Sequence, residues 1–203
     1  YTTLFRSSAC RALTKAAPGI RSRTGYWAAV ALLRDRDRRV RGACAVAGAL
    51  QQPKRFTREM KRLRRDDSLP VELGLAQALA VVPGGEAYSR LAALARSERA
   101  EVRAVAATSL AKRTEPAALE LREALAKDLD PRVRHAAIAA SDSKIVLRLA
   151  LADSESGNQG TALWRLTRVI GREAALPHVL EMLTSSGELE HRVVVAGAWV
   201  GAK

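Results

Sequence analysis

Apolar residues recur along this chain at helical spacing. Downstream of Val133, small or apolar residues stand at the third, fourth and seventh positions, where the chain has Ala136, Ala137 and Ala140. Spacing of this kind places the residues on one side of an α-helix that faces a core. A second apolar stretch precedes each such segment, as it does from Tyr88 onwards. The pattern therefore predicts pairs of helices, A and B, that are joined by short turns.

The helical pattern repeats at a fixed interval. Its central valine recurs as Val40, Val71, Val102 and Val133, each 31 residues after the one before. Two looser copies follow at intervals of 30 residues, with Leu163 and Val193 at the valine position. One helical pair cannot bury its own apolar side, so a period of this length indicates that successive pairs stack on one another.

These units resemble HEAT repeats, and specifically the short bacterial HEAT-like type that is also found in phycobilin lyase subunits. The resemblance rests on units of about 30 residues and on an eight-residue turn motif. Asp stands first in this motif and can be followed by Pro, Val and Arg stand at the fourth and fifth positions, and Ala stands at the seventh and eighth. The best copy is Asp130–Ala137, Asp37–Arg41 is nearly as good, and Gly157–Leu163 keeps neither the Asp nor the Arg.

The resemblance implies an all-α fold, a right-handed α-solenoid (superhelix) of about six HEAT-like helical hairpins. It also implies a recurrent arginine after the valine, here Arg41, Arg103 and Arg134, which can bridge to the Asp of a neighbouring turn. The family consists mostly of scaffolds and adaptors, so the resemblance indicates the fold more strongly than the function.

The repeat register predicts a single solenoid over residues 1–203. An apolar run, Val193–Val200, comes close to the last residue. Because a finished solenoid normally ends in a polar capping element, we expect the chain to be a fragment of a longer array. The predicted units are an N-terminal partial unit, 1–25, and the repeats 26–52, 53–83, 84–113, 114–142, 143–172 and 173–203.

Composition excludes several classes of protein. Hydrophobic residues make up 48% of the chain, which excludes disorder, and only 4% are aromatic, so the core must be aliphatic. No apolar run approaches the roughly 20 residues that cross a bilayer, and no secretory signal follows Tyr1. The two cysteines, Cys10 and Cys44, are interpreted as small core residues. They predict a reducing compartment and a cytoplasmic location.

The net charge of +13 lies almost wholly in the first third of the chain. Residues 1–65 hold 17 Lys and Arg against 3 Asp and Glu, whereas residues 66–203 hold 17 against 18. On the helix predicted after Pro53, Phe56, Met60 and Leu63 form the buried side. Three interpretations remain open: a surface for phosphate, a surface for an acidic protein, and a solvated face of an arginine-rich protein. The predicted basic patch is Arg38, Arg39, Arg41, Lys54, Arg55, Arg58, Lys61, Arg62, Arg64 and Arg65.

Little in the sequence indicates an enzyme. The three histidines, His135, His178 and His191, lie in three different predicted units and form no metal-binding pair. We therefore predict no catalytic residue, no metal site and no cofactor. The enzymatic alternative is an alkylpurine DNA glycosylase, since one such family is basic and built from HEAT-like repeats. That chemistry needs an aromatic residue that stacks on the target nucleotide and a carboxylate beside it.

The residues that follow the repeat valines are expected to form an exposed row along the B helices. Glu72 is the only acidic residue of this row. Trp27 and Trp199 are interpreted as packing residues. The function predicted is a non-catalytic scaffold or adaptor that binds a protein partner along a concave B-helix groove, with the basic N-terminal third adding attraction to an acidic surface. The alternative is a solenoid that binds nucleic acid. The sequence leaves the partner and the oligomeric state open. The predicted groove residues are Arg103, Arg134, His135, Trp164, Arg165 and Arg168.

Overall fold

The structure, a computed structural model, describes residues 2–15, 22–63, 65–185 and 189–202. Within these ranges the chain is all-helical and contains no strand, which confirms the predicted all-α class. The α-helices of the described residues are α1 (Thr2–Lys15), α2 (Arg23–Ala31), α3 (Arg38–Gln51), α4 (Pro53–Met60), α5 (Leu69–Leu79), α6 (Gly85–Leu94), α7 (Ala100–Leu110), α8 (Pro116–Leu125), α9 (Pro131–Ala139), α10 (Lys144–Ala150), α11 (Ser156–Ile170), α12 (Arg172–Ser185) and α13 (Leu189–Gly201).

The recurrent Asp of the repeat turn fixes where two of the B helices begin. The Asp37 side chain accepts a hydrogen bond from the N–H of Arg39 at 2.7 Å, at the start of α3. Asp130 does the same for the N–H of Arg132 at 2.9 Å, at the start of α9. A carboxylate at this position satisfies a backbone donor that has no partner within the helix. The Asp of the turn motif is therefore a helix N-cap at both positions.

The chain divides into two compact units. The N-terminal unit covers Tyr1–Ala118, and the C-terminal unit covers Leu119–Lys203. In the N-terminal unit, α1 packs on α3, α3 on α5, and α5 on α7, so that alternate helices form one row. Helices α2, α4 and α6 pack against this row. Residues 53–83, one of the predicted units, contain α4 and α5, and the unit boundaries stay predictions. The number of repeats and the handedness of a superhelix stay predictions.

The C-terminal unit has the same internal order. Helix α11 packs on α9 and on α13, while α10 contacts α9 and α11, and α12 contacts α11 and α13. Leu163 of α11 is fully buried, and its cluster includes Val179, Met182 and Val195. The prediction that Val193 takes the valine position is wrong, because Val193 is 62% exposed and Val195 is buried in its place. The valines of the four regular copies are all fully buried, as predicted.

Two glycines allow α3 and α5 to approach until their backbones touch. A Cβ atom on Gly42 would lie within 3.0 Å of the carbonyl oxygen of Pro70. A Cβ atom on Gly74 would lie within 3.0 Å of the carbonyl oxygen of Gly42. Both neighbours are backbone atoms, which cannot rotate away as a side chain would. Any other residue at these positions must therefore push the two helices apart.

A disulfide joins Cys10 of α1 to Cys44 of α3 across 34 residues. The interpretation of both cysteines as unpaired core residues is therefore wrong, although both are buried. Sequence spacing could not reveal the bond, because the row that brings α1 beside α3 is a tertiary feature. Disulfides are typical of oxidising compartments, so the cysteines give no support to the predicted reducing, cytoplasmic location.

A search for membrane-spanning segments among the described residues finds no helix with the length and apolar character that crossing a bilayer requires.

We predict that Gly74→Ala destabilises the chain by about 1–3 kcal/mol, because the added methyl group overpacks the α3–α5 contact. The matched control is Gly85→Ala, at the start of α6, where an added Cβ atom meets nothing within 4 Å. Urea unfolding followed by circular dichroism measures both. Equal midpoints for Gly74→Ala and the unmodified chain would contradict the close backbone contact.

We predict that reduction of the Cys10–Cys44 bond lowers the free energy of unfolding by about 3–4 kcal/mol, since the bond restricts the unfolded chain across a long loop. Thermal unfolding with and without a reductant measures the effect. The double variant Cys10→Ala/Cys44→Ala is the control, because its melting temperature should not respond to the reductant. Two free thiols in the unfolded, unreduced protein would show that the bond does not form.

Candidate functional site

Arginines that follow the repeat valine bind the turns on either side of them. Arg41 lies against Asp66, with Nε donating to Oδ2 at 2.6 Å, and its Nη1 donates to the carbonyl of Asp35 at 2.8 Å. Arg134 repeats this in the C-terminal unit, with Nε 2.8 Å from Asp153 Oδ2 and Nη1 3.0 Å from the carbonyl of Asp128. The predicted bridge from this arginine to the Asp of a neighbouring turn is confirmed at both positions.

The Arg134–Asp153 ion pair is well shielded from water. The Asp153 side chain is only 4% exposed. Burial alone would raise its pKa, but hydrogen bonds from Arg134 and from the N–H of Glu155 outweigh burial, and the pKa of Asp153 is lowered. The hydrogen bond to Asp153 correspondingly raises the pKa of the Arg134 guanidinium group. The pair therefore stays charged near neutral pH and holds two successive turns together.

Three of the predicted groove residues use their charge inside their own unit. Arg103, in the N-terminal unit, donates from Nη1 to the carbonyls of Ser97 and Glu98 at 2.9 and 3.0 Å. Arg134 makes the pair described above, and Arg165 donates to the carbonyl of Ser141 at 3.0 and 3.1 Å. These bonds give all three arginines a structural role. The sequence predicts such a role for Arg103 and Arg134, but for Arg165 it predicts partner binding alone.

Trp164 and Arg168 are two of the predicted groove residues that remain at a surface. The Arg168 guanidinium carbon lies 5.0 Å from the centre of the Trp164 ring, within the range of a cation–π interaction. Trp164 Nε1 donates to the carbonyl of Gly201 at 3.0 Å, which fixes the ring between α11 and α13. His135 is exposed, and its Nδ1 lies 3.0 Å from Asn158 Oδ1.

A groove of about 300 Å³ runs along Trp164 within the C-terminal unit. Its floor is formed by small residues of α11, and one wall by Val194 of α13. A Cβ atom on Gly160 would lie 2.6 Å from the Val194 side chain, so the helices are close at this point. The residues that line the groove are Gly157, Gly160, Thr161, Trp164, Val194 and Ala198. The partner-binding role of this surface stays a prediction.

Most of the predicted basic patch is exposed. On α4 and the 3-10 turn that follows it, Phe56, Met60 and Leu63 are buried as predicted, and the basic residues face outwards. Arg41 is the exception, because its guanidinium group is bound within the fold. Arg64 lies outside the described residues. The exposed members are Arg38, Arg39, Lys54, Arg55, Arg58, Lys61, Arg62 and Arg65.

Trp27 is not the packing residue that the sequence analysis predicts. It is 49% exposed and lies at a cavity of about 410 Å³ between α2 and α4. Its neighbour Tyr26 is buried, and burial together with the Glu59 carboxylate raises the pKa of Tyr26. Trp199 does behave as predicted, since it packs against the buried cluster around Leu163.

Sequence reasoning missed two arginines that bind helix ends. Arg113 is 8% exposed and donates to the carbonyls of Leu79, the last residue of α5, and of Val82 at 3.3 and 2.5 Å. Arg90 donates to the carbonyls of Met60, the last residue of α4, and of Leu63 at 2.8 and 3.0 Å. Neither residue stands at a fixed position of the repeat motif, so no periodic signal marks it.

The histidines are less dispersed than their sequence positions indicate. His178 of α12 and His191 of α13 line one cavity of about 640 Å³, together with Arg148 and Glu181. His191 Nε2 is buried and accepts or donates no hydrogen bond. Across the part of the chain that the structure describes, no group of three or more His, Cys, Asp or Glu side chains is arranged to hold a metal ion.

Comparison with protein families identifies the repeat. Residues 59–142 match the family model for HEAT repeats, as the resemblance of the turn motif predicted. The matched segment contains the regular copies around Val71, Val102 and Val133. A search of curated proteins finds none that matches the chain.

We predict that Asp153→Asn lowers the free energy of unfolding at neutral pH by about 1.5–3 kcal/mol, because it removes a charged hydrogen-bond partner of Arg134. The folded pKa of Asp153 is below its unfolded value, about 3.9, so its contribution is complete above that pH and is lost as the pH falls through the folded pKa.

Urea unfolding across the acidic pH range measures this contribution. The variant should lose less stability on acidification than the unmodified chain does. Asp142→Asn is the control, since the Asp142 side chain is 80% exposed. Parallel stability profiles for Asp153→Asn and the unmodified chain would contradict a stabilising ion pair.

Proposed function

We propose that this chain, which carries HEAT repeats over residues 59–142, is a non-catalytic scaffold that binds an acidic segment of a protein partner. HEAT repeats generally mediate protein interactions or scaffolding. The single observation that carries the proposal is the groove between α11 and α13, where Trp164 lies beside an exposed arginine.

The groove has the composition of a protein-binding hot spot. Tryptophan and arginine are the residues most enriched where binding energy is concentrated, and they act best beside a pocket that excludes water. Trp164 is fixed by its hydrogen bond to the carbonyl of Gly201, so it loses little freedom when a partner binds. An added Cβ atom on Gly157 would meet nothing within 4 Å, so the groove is open beside this residue.

The charge of the exposed basic residues supports an acidic partner. Arg168 is exposed at the groove, and its guanidinium group is placed to meet a carboxylate. In the N-terminal unit, the exposed members of the basic patch would attract an acidic protein at long range. Such attraction raises the rate of association more than the final affinity.

The test compares two matched charge reversals in the C-terminal unit. Arg168→Glu and Arg172→Glu each reverse an exposed arginine that lies over a tryptophan, at 5.0 Å from Trp164 and 4.3 Å from Trp199. Only Arg168 is beside the groove. Proteins from the source cell that bind the immobilised chain are identified, and the recovered partner is then titrated against each variant by calorimetry.

We expect Arg168→Glu to weaken binding at least tenfold, about 1.4 kcal/mol, and Arg172→Glu to leave it unchanged. Trp164→Ala should weaken binding further, with helicity checked by circular dichroism. A partner that binds both charge reversals equally well would show that the groove is not the binding surface.

A further inference from the structure

The cavity between α2 and α4 in the N-terminal unit combines an aromatic wall with a positive rim. Its volume is about 410 Å³, which falls in the range of small-molecule sites, about 300–1,000 Å³. It lies on a different helical pair from the groove at Trp164. The lining residues are Tyr26, Trp27, Lys54, Arg55, Arg58 and Glu59.

The aromatic wall is held in one orientation. Trp27 packs edge-to-face on Tyr26, with the ring centres 5.1 Å apart and the planes at 68°. Tyr26 is 1% exposed, so it gives Trp27 a rigid support. Among the described residues, a guanidinium group lies over Trp164 and another over Trp199, but none lies over Trp27. The indole of Trp27 therefore keeps an aromatic surface open to a ligand.

The positive rim comes from one side of α4. Lys54 and Arg58 are four residues apart, and Arg55 and Arg58 are three apart, so the three side chains are neighbours on the helix surface. All three are exposed, and within the described ranges none of them forms an ion pair. Three neighbouring cations without acidic partners repel one another, and an anion placed among them removes that cost.

The only acid of the lining does not cancel this charge. Glu59 is buried and forms an ion pair with Arg62, which compensates its carboxylate. The three cations of the rim therefore set the charge that a ligand meets in this cavity.

From this combination we infer that the α2–α4 cavity binds a nucleotide unit, with its base stacked on Trp27 and its phosphate held by Lys54, Arg55 and Arg58. An acidic peptide would use the cations but leave the indole surface without a partner. A base supplies the aromatic face, and the phosphate supplies the charge. The same chemistry is offered by single-stranded nucleic acid and by a free nucleotide.

The experiment uses the full chain and fluorescence anisotropy with two probes, a short labelled single-stranded DNA of mixed sequence and a fluorescent ATP analogue. Trp27→Ala should weaken binding of the favoured probe about tenfold, because it removes the stacking surface. Trp27→Phe should restore most of the affinity. Trp27 is half-exposed, so neither change empties the core, and circular dichroism checks the fold.

A second pair of variants separates the site from general charge. Arg55→Gln/Arg58→Gln should weaken binding and reduce the salt dependence of single-strand binding by about 1.4 in slope. The control, Arg38→Gln/Arg39→Gln, removes the same charge from exposed positions on α3 that do not line the cavity. It should have a smaller effect.

The outcomes are distinct. Binding of the DNA alone identifies single strands as the source, and binding of the ATP analogue alone identifies a free nucleotide; either supports the site. No binding of either probe at low salt overturns it. Two further results would also overturn the site. One is an equal loss of affinity in both double variants with no effect of Trp27→Ala, and the other is competition by polyglutamate that is as strong as competition by the nucleotide. Arg168→Glu tests the protein-binding groove separately and should not change any of these results.

Discussion

Short helices leave carbonyl groups without partners at their C-terminal ends, and this chain satisfies many of them with arginine side chains. Arg90 binds carbonyls at and just beyond the end of α4, Arg113 those at and just beyond the end of α5, and Arg165 the carbonyl of Ser141 beyond α9. In each case a later part of the chain supplies the guanidinium group to the end of an earlier helix: Arg90 lies on α6, Arg113 follows α7, and Arg165 lies on α11. Arginine suits this role because its planar group offers five donors in a fixed geometry. The arrangement links successive helical pairs through hydrogen bonds as well as through apolar contact.

This use of arginine changes the meaning of the net charge. A count of basic residues treats every arginine alike, whereas the structure separates them by what they bind. Arg41 and Arg134 are held by aspartates and carbonyls of the adjacent turns, so their charge is already compensated. Lys54, Arg55 and Arg58 have no such partners among the described residues, and they lie together at one cavity. The charge available to a ligand is therefore more local than the excess over residues 1–65 indicates.

Sequence reasoning predicted what depends on local order along the chain. The buried valines follow from the repeat register, the arginine–aspartate bridges are what the resemblance to HEAT repeats implies, and the structure contains both. It failed where the outcome depends on contacts between distant residues. The Cys10–Cys44 bond requires α1 beside α3, and the burial of Val195 instead of Val193 depends on how α13 meets α11 and α12. Of the predicted groove, the motif could place the arginines on the B helices but could not show that they bind backbone carbonyls.

The two tryptophans that the sequence analysis assigned to packing show why exposure decides function. Trp199 contributes to the buried cluster around Leu163, where its apolar area stabilises the fold. Trp27 leaves about half of its surface in water, in a chain that has only 3 tryptophans and an aliphatic core. The hydrophobic effect favours covering that surface, and the fold does not do so. Tyr26 holds the ring in place, and the cations of α4 line the same cavity. A ligand with an aromatic face and a negative charge would therefore cover the indole and neutralise these cations.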